Sequence, residues 1–328
     1  MEKNPRLDVG QRRRPAPTAL LAMVLGTAAA CATPAAAPVG TAPAAGSVRP
    51  SAAYELHAPS DSLARPLRGE LDRAAGVFER YFEAEPPPIG VVVFRSPDEM
   101  RAFDWTPIRA RFTQVLPWLV QFDANPTIGA SAVEGRNAIA HEACHLFLIG
   151  RTGKVLGRPG RRAPGAPAAY GDPALPDWFD EGVATLCEPP ALNAERQAKL
   201  RGLGDSTIAL AELFRMEHPA WRQLQAMIDA QRRAAGDTAR NARNNPTVQR
   251  VQVPRGALDG SGALAFYAQT NSVLEFLADR EGPRFIGVLG TALAGGQSTE
   301  QALAAHARRV PSDPVALERE WRAWLAAK

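Results

Sequence analysis

The sequence predicts an α+β fold, in which a small sheet and its helices form an N-terminal lobe and a mostly helical lobe follows. Residues 89–94, IGVVVF, form a short Val-rich apolar run that is typical of a buried strand. From Pro176 onward almost every segment has helical spacing. The 328 residues, 45% hydrophobic and 22% charged, can build a large core. This composition excludes a wholly disordered chain, a collagen-like chain and a multispan membrane protein.

Further elements of the N-terminal lobe follow from local patterns. Residues 54–57 alternate weakly in polarity and predict a strand. Residues 62–83 predict an amphipathic helix, because their large apolar side chains recur at helical spacing. The capping box at residues 96–99, with Pro at the first helical position, predicts a second helix start. Residues 119–122 and 127–133 are expected to be strands.

Positive charge is concentrated at the N-terminus. Residues 1–14 hold five basic and two acidic side chains, so they carry +3 of the chain's net charge of +4. The rest of the chain is nearly neutral and gives no support for an anionic partner. We therefore expect no nucleic acid to be bound.

The N-terminal residues resemble a bacterial lipoprotein signal. An uncharged run at residues 18–30 follows three arginines and ends at Cys31, after three alanines. The resemblance implies a signal peptide over residues 1–30, a lipid on Cys31 and an exported, membrane-anchored protein. The pattern prefers Leu three residues before the cysteine, where this chain has Ala28. Simple cleavage after Ala30 and an uncleaved anchor are the alternatives.

A tether and a folded region complete the expected domain organisation. Residues 31–51 are mostly Ala, Pro and Gly and lack large apolar side chains, so we expect a flexible tether. The folded domain is expected to occupy residues 52–328.

The helix expected to carry the chemistry lies at residues 138–149, AIAHEACHLFLI. Asn137 can cap its start and Gly150 can end it. The helix is apolar on all sides, so it should be buried. Its only strongly polar residues are His141, Glu142 and His145. Burying these groups without partners would cost several kcal/mol.

A bound metal ion resolves this conflict. His141 and His145 are four residues apart and share one helix face, so both can reach one Zn²⁺. Glu142 lies beside them and can face an attacking water. The HExxH pattern therefore predicts a zinc site.

A second motif follows at residues 176–188, PDWFDEGVATLCE. HExxH followed by W-x-x-E-G-x-A-x-x-x-E resembles the gluzincin zinc metallopeptidases, which include the thermolysin-like enzymes and zinc aminopeptidases. The resemblance implies a zincin-like fold with the active site between the lobes, Zn²⁺ as cofactor and Glu181 as third ligand. It maps the last Glu to Glu188, which would support a ligating histidine. A solvated carboxylate at the helix end is the alternative for Glu188.

The same resemblance singles out Tyr267 in the segment FYAQ, residues 266–269, which opens a helix running to about residue 279. Related enzymes use a Tyr or His to hydrogen-bond the oxyanion, so Tyr267 is the candidate for that role. The alternative is an aromatic side chain on a packed helix face.

These motifs predict zinc-dependent hydrolysis of a peptide or protein by an exported metallopeptidase. The metal would polarise the scissile carbonyl, and Glu142 would move a proton from water to the leaving amine. The alternative is a catalytically inactive zinc-binding module with a binding or envelope-assembly role.

The remaining cysteines and histidines are expected to matter less. Cys144 and Cys187 lie on the two predicted ligand helices, and we expect two buried free thiols there, with a disulfide as the alternative. Three histidines stand alone and are expected to be structural or exposed: His57, His218 and His306.

Overall fold

A computed structural model describes residues 49–50, 52–119, 132–155, 174–219, 230 and 260–328. Over these residues the protein is mixed and mostly helical with a small sheet, which agrees with the predicted α+β class. The expected signal peptide, with Cys31, lies outside the described residues. So does the expected tether at residues 31–51, except Arg49 and Pro50, which form a short strand. None of the described helices combines the length and the apolar character that crossing a bilayer requires.

The sheet has four strands in the order β1-β2-β3-β4. Strands β2, β3 and β4 are parallel, and β1 pairs antiparallel with β2. All six residues of β3 are buried, as the Val-rich run predicts. The strand bounds are β1 Arg49–Pro50, β2 Tyr54–His57, β3 Ile89–Phe94 and β4 Gln114–Leu119.

The last strand lies upstream of its predicted position. Strand β4 pairs residue by residue with β3, from Gln114 opposite Ile89 to Leu119 opposite Phe94. Only Leu119 belongs to the strand expected at residues 119–122, and the rest of that segment is outside the described residues. Of the strand expected at residues 127–133, the described residues Ala132 and Val133 are helical, so that prediction was wrong for them.

Three helices accompany the sheet: α1 Asp61–Phe82, α2 Pro97–Ala102 and α3 Thr106–Arg111. Helix α1 buries the apolar face that its spacing predicts, and the Ser60 side chain caps its start. Ser96 caps α2 by accepting from the backbone of Glu99. The Glu99 carboxylate accepts from the backbone N–H of Arg95, one residue before the position that a capping box requires.

Helix α4, Ala132–Val155, is longer at both ends than the predicted helix. Asn137 lies inside it and does not cap it. Gly150 also lies inside, and its role is close packing, because a Cβ there would lie 2.7 Å from the Pro87 Cβ. Helix α4 contacts α1, β4 and the next helix, α5 Asp177–Leu186, so it occupies the centre of the described fold.

The rest of the described chain is helical, as predicted. Trp178 of α5 and Trp321 near the C-terminus are fully buried, and each indole N–H donates to a hydroxyl, of Thr299 and Ser272 respectively. The bounds are α6 Pro190–Leu203, α7 Leu210–Leu213, α8 Gly260–Glu281, α9 Arg284–Ala294, α10 Thr299–His306 and α11 Pro314–Ala326. Helix α8 begins before the segment at residue 266 and packs along α5 and α6.

The α5–α8 contact depends on Gly182. A Cβ at Gly182 would lie 2.7 Å from Leu274 Cδ1 and 3.3 Å from the Thr270 carbonyl oxygen.

We expect Gly182→Ala to lower the free energy of unfolding by about 1–3 kcal/mol through overpacking, measured by denaturant titration. Gly76→Ala is the matched control, because Gly76 lies on the exposed face of α1 and a Cβ there meets nothing within 4 Å. It should stabilise the protein by about 0.5–1 kcal/mol, and equal effects at both sites would contradict the packing argument.

Candidate metal centre

Two helices bring the three predicted ligands together. Helix α4 supplies His141 and His145, one turn apart on one face, and α5 supplies Glu181. All three side chains are buried, and one donor atom from each lies within 4.8 Å of the others. Among the described residues, this is the cluster of His, Cys, Asp and Glu side chains that can hold a metal ion.

The separations between the donor atoms fit a tetrahedral ion. His141 Nε2 and His145 Nε2 are 3.2 Å apart, and Glu181 Oε2 lies 3.2 Å from the first and 3.5 Å from the second. Ligands at about 2.0–2.1 Å from a tetrahedral zinc are about 3.3 Å from one another. The three atoms therefore stand at spacings that one small divalent cation can bridge.

The outer nitrogens of both imidazoles are bonded to carboxylates. His141 Nδ1 lies 2.9 Å from Glu188 Oε1, and His145 Nδ1 lies 2.8 Å from Asp180 Oδ1. A carboxylate that accepts from Nδ1–H leaves Nε2 as the ligating nitrogen and fixes the ring. Glu188 is buried and bonded to a ligand, so the alternative of a solvated helix-end carboxylate was wrong. Asp180 was missed by the sequence analysis, although it directly precedes Glu181.

The electrostatics of the metal-free cluster favour protonated imidazoles beside an ionised Glu181 carboxylate. Burial alone would lower the pKa of His141, but hydrogen bonds with Glu181 and Glu188 outweigh it and raise this pKa to about 9. The pKa of His145 is raised in the same way by Asp180 and Glu181. Burial would raise the pKa of Glu181, but the two imidazoles lower it overall. A metal ion that binds here must therefore displace protons.

Two further aromatic side chains border the cluster. The Tyr267 ring stands edge-on to His141 with the centroids 5.7 Å apart. Burial raises the pKa of Tyr267, and the charges of Glu181 and Glu142 raise it further, so the phenol stays protonated. His218 is buried beside Tyr267, with its Nε2 3.9 Å from Glu181 Oε1.

The burial of His218 against this cluster was not expected, because an isolated histidine carries no sequence signal. Its backbone N–H donates to Asp177 Oδ2 at 2.7 Å, at the start of α5. This bond ties the segment after α7 to the helix that carries Glu181.

Cys144 and Cys187 form a disulfide, and their Cα atoms are 6.4 Å apart. The expectation of two free thiols was therefore wrong. Sequence spacing carries no information on this distance, which is set by the packing of α4 on α5. Cys144 directly precedes His145 and Cys187 directly precedes Glu188, so the bond links the two helices at the metal centre.

Comparisons with known protein families, with curated proteins and with solved structures returned no match for this chain. The resemblance to the gluzincins rests on the two motifs.

The disulfide predicts a non-additive pattern of cysteine variants. Cys144→Ala, Cys187→Ala and the double variant break the same bond, so each should lower the free energy of unfolding by a similar amount, about 2–4 kcal/mol. Denaturant titration of the oxidised proteins measures this. Small single-variant effects that sum in the double variant would show that the thiols are free.

The proton competition predicts that zinc affinity falls with decreasing pH. Because the pKa of His141 is raised to about 9, zinc must displace at least one proton below that pH. Affinity should fall about tenfold per pH unit for each proton displaced. Competition with a chromophoric chelator between pH 8 and 6, corrected for the chelator's own protonation, measures the slope. Exposed His306→Gln is the control and should keep this slope, and a pH-independent affinity would refute the competition.

Proposed function

We propose that this protein is an exported zinc metallopeptidase of gluzincin type that hydrolyses peptide bonds in a peptide or protein substrate. The observation that carries the proposal is the set of three facing donor atoms, His141 Nε2, His145 Nε2 and Glu181 Oε2, at separations of 3.2, 3.2 and 3.5 Å. The sequence supports export and membrane anchoring, because the signal-like run ends at Cys31, where we propose a lipid anchor.

The donor set suits Zn²⁺ in a catalytic site. Catalytic zinc is typically held by three protein ligands, with the fourth position left to water or substrate, and His₂Glu is one of the known sets. Two nitrogens and one carboxylate oxygen, with both imidazoles oriented by carboxylates, match that chemistry. When bound, the ion supplies a Lewis acid that makes water nucleophilic near neutral pH and polarises the scissile carbonyl.

The protein's own groups then move the proton and stabilise charge. Glu142 follows the ligand His141 and is assigned to accept a proton from the attacking water and deliver it to the leaving amine. Tyr267 remains a protonated phenol and can donate to the oxyanion of the tetrahedral intermediate. His218, with its Nε2 3.9 Å from Glu181 Oε1 and its ring tilted against that of Tyr267, is a second candidate donor for that oxyanion.

Separating metal binding from hydrolysis tests this function. Glu142→Gln should keep full zinc content but lose at least about a hundredfold in hydrolysis of a peptide library, because it removes the general base. His141→Ala should lose both zinc and hydrolysis, because it removes a ligand. Zinc is measured by elemental analysis of the purified proteins. A Glu142→Gln variant as active as the parent would refute the role of Glu142 as general base. A parent that binds zinc tightly but cleaves nothing would favour the binding module.

A further inference from the structure

Arg196 lies on α6, which follows α5 directly after the turn at Pro189. Its side chain is 12% exposed, and its Nη2 donates to Glu188 Oε1 at 2.8 Å. The same Glu188 oxygen accepts from His141 Nδ1 at 2.9 Å. The contacts therefore form a continuous chain from Arg196 through Glu188 to a metal ligand.

With a divalent ion bound, the charges at the centre would leave one carboxylate without an opposite charge. Three buried carboxylates surround the two imidazoles, those of Asp180, Glu181 and Glu188. A divalent ion offsets two of these negative charges when both imidazoles are neutral ligands. A buried charge without a partner is strongly destabilising, and Arg196 pairs with Glu188, the carboxylate that is bonded to His141 Nδ1.

A second contact places the Arg196 guanidinium over the Tyr267 ring, which also borders the centre. Arg196 Cζ lies 5.2 Å from the centroid of the Tyr267 ring, which is within the range of a cation–π interaction. The Tyr267 ring in turn packs edge-on against His141. Arg196 thus touches two of the groups that border the His141 ring, Glu188 through a charge-assisted hydrogen bond and Tyr267 through its ring face.

We infer that Arg196 is a positioning residue of the metal centre, which holds the Glu188 carboxylate and thereby the His141 ring in the orientation that binds the ion. The inference rests on the metal-binding part of the proposed function and is independent of hydrolysis. Arginine suits this role better than lysine, because its rigid planar fork can bond to a carboxylate and stack on an aromatic ring at once.

Metal affinity tests the inference without any assay of activity. Zn²⁺ affinity is measured by chelator competition on the full chain, and the visible absorption of bound Co²⁺ reports ligand geometry. Arg196→Gln should weaken Zn²⁺ binding about tenfold and change the Co²⁺ spectrum, the effect expected for loss of an outer partner of a ligand. Lys199→Gln removes one positive charge from the exposed side of the same helix and should change neither.

A conservative variant keeps the test independent of folding. Arg196→Lys retains the buried charge on a single donor, and it should bind Zn²⁺ more weakly than the parent and more tightly than Arg196→Gln. Circular dichroism in chelator checks that each variant is folded. If Arg196→Gln does not fold, the comparison of Arg196→Lys with the parent decides, and equal affinities overturn the inference.

A double-mutant cycle shows whether Arg196 acts through Glu188. Glu188→Gln should weaken Zn²⁺ binding, and adding Arg196→Gln should cause little further loss. Two results would overturn the inference and leave the proposed function standing. One is an Arg196→Gln variant with the Zn²⁺ affinity and Co²⁺ spectrum of the parent. The other is an Arg196→Gln change that weakens Zn²⁺ binding as much in the Glu188→Gln background as in the parent. A parent that binds neither Zn²⁺ nor Co²⁺ would overturn the proposed function and the inference with it.

Discussion

Two imidazoles and a carboxylate buried between apolar helices are the constraint that the rest of the structure serves. Over residues 138–149 of α4, Glu142 is the one strongly polar side chain besides His141 and His145. Three carboxylates from α5 or its end pair with these imidazoles, those of Asp180, Glu181 and Glu188. Because an unpaired buried charge costs several kcal/mol, only one register of α5 on α4 is acceptable.

Several contacts enforce that register without the ion. The Cys144–Cys187 disulfide joins the two helices beside the ligands, and Gly182 lets α8 approach α5 closely. The hydrogen bonds from the imidazole Nδ1 atoms to the carboxylates of Glu188 and Asp180 fix the orientation of both rings relative to α5. A centre that is preformed in this way would bind an ion without first ordering its ligands, which is the condition for tight and geometrically selective binding.

The parts of the structure that depend on local spacing could be predicted from the sequence, and the parts that depend on chain reversals could not. The i, i+4 spacing of His141 and His145 places them on one face in any α-helix. Asp180 is about 100° around α5 from Glu181, so no argument from shared faces could pair it with a ligand.

Other misses have the same origin. Arg196 and His218 reach the centre only after the chain turns back beyond α5, and neither belongs to a motif. Strand β4 contains Pro117, which masks a strand pattern, and its bounds come from parallel pairing with β3. Gly150 was predicted to end a helix, but it lies inside α4 and allows close packing against Pro87, which lies 63 residues earlier in the chain.

The number of donors separates a catalytic centre from a structural one. A structural zinc site is closed by a fourth protein ligand, whereas the described residues contribute three donor atoms to this cluster. Beside the three donors lie two side chains that metal coordination alone does not require, the protonated Tyr267 and the buried His218. Stabilising charge that develops on a substrate oxygen is a reason to place them there.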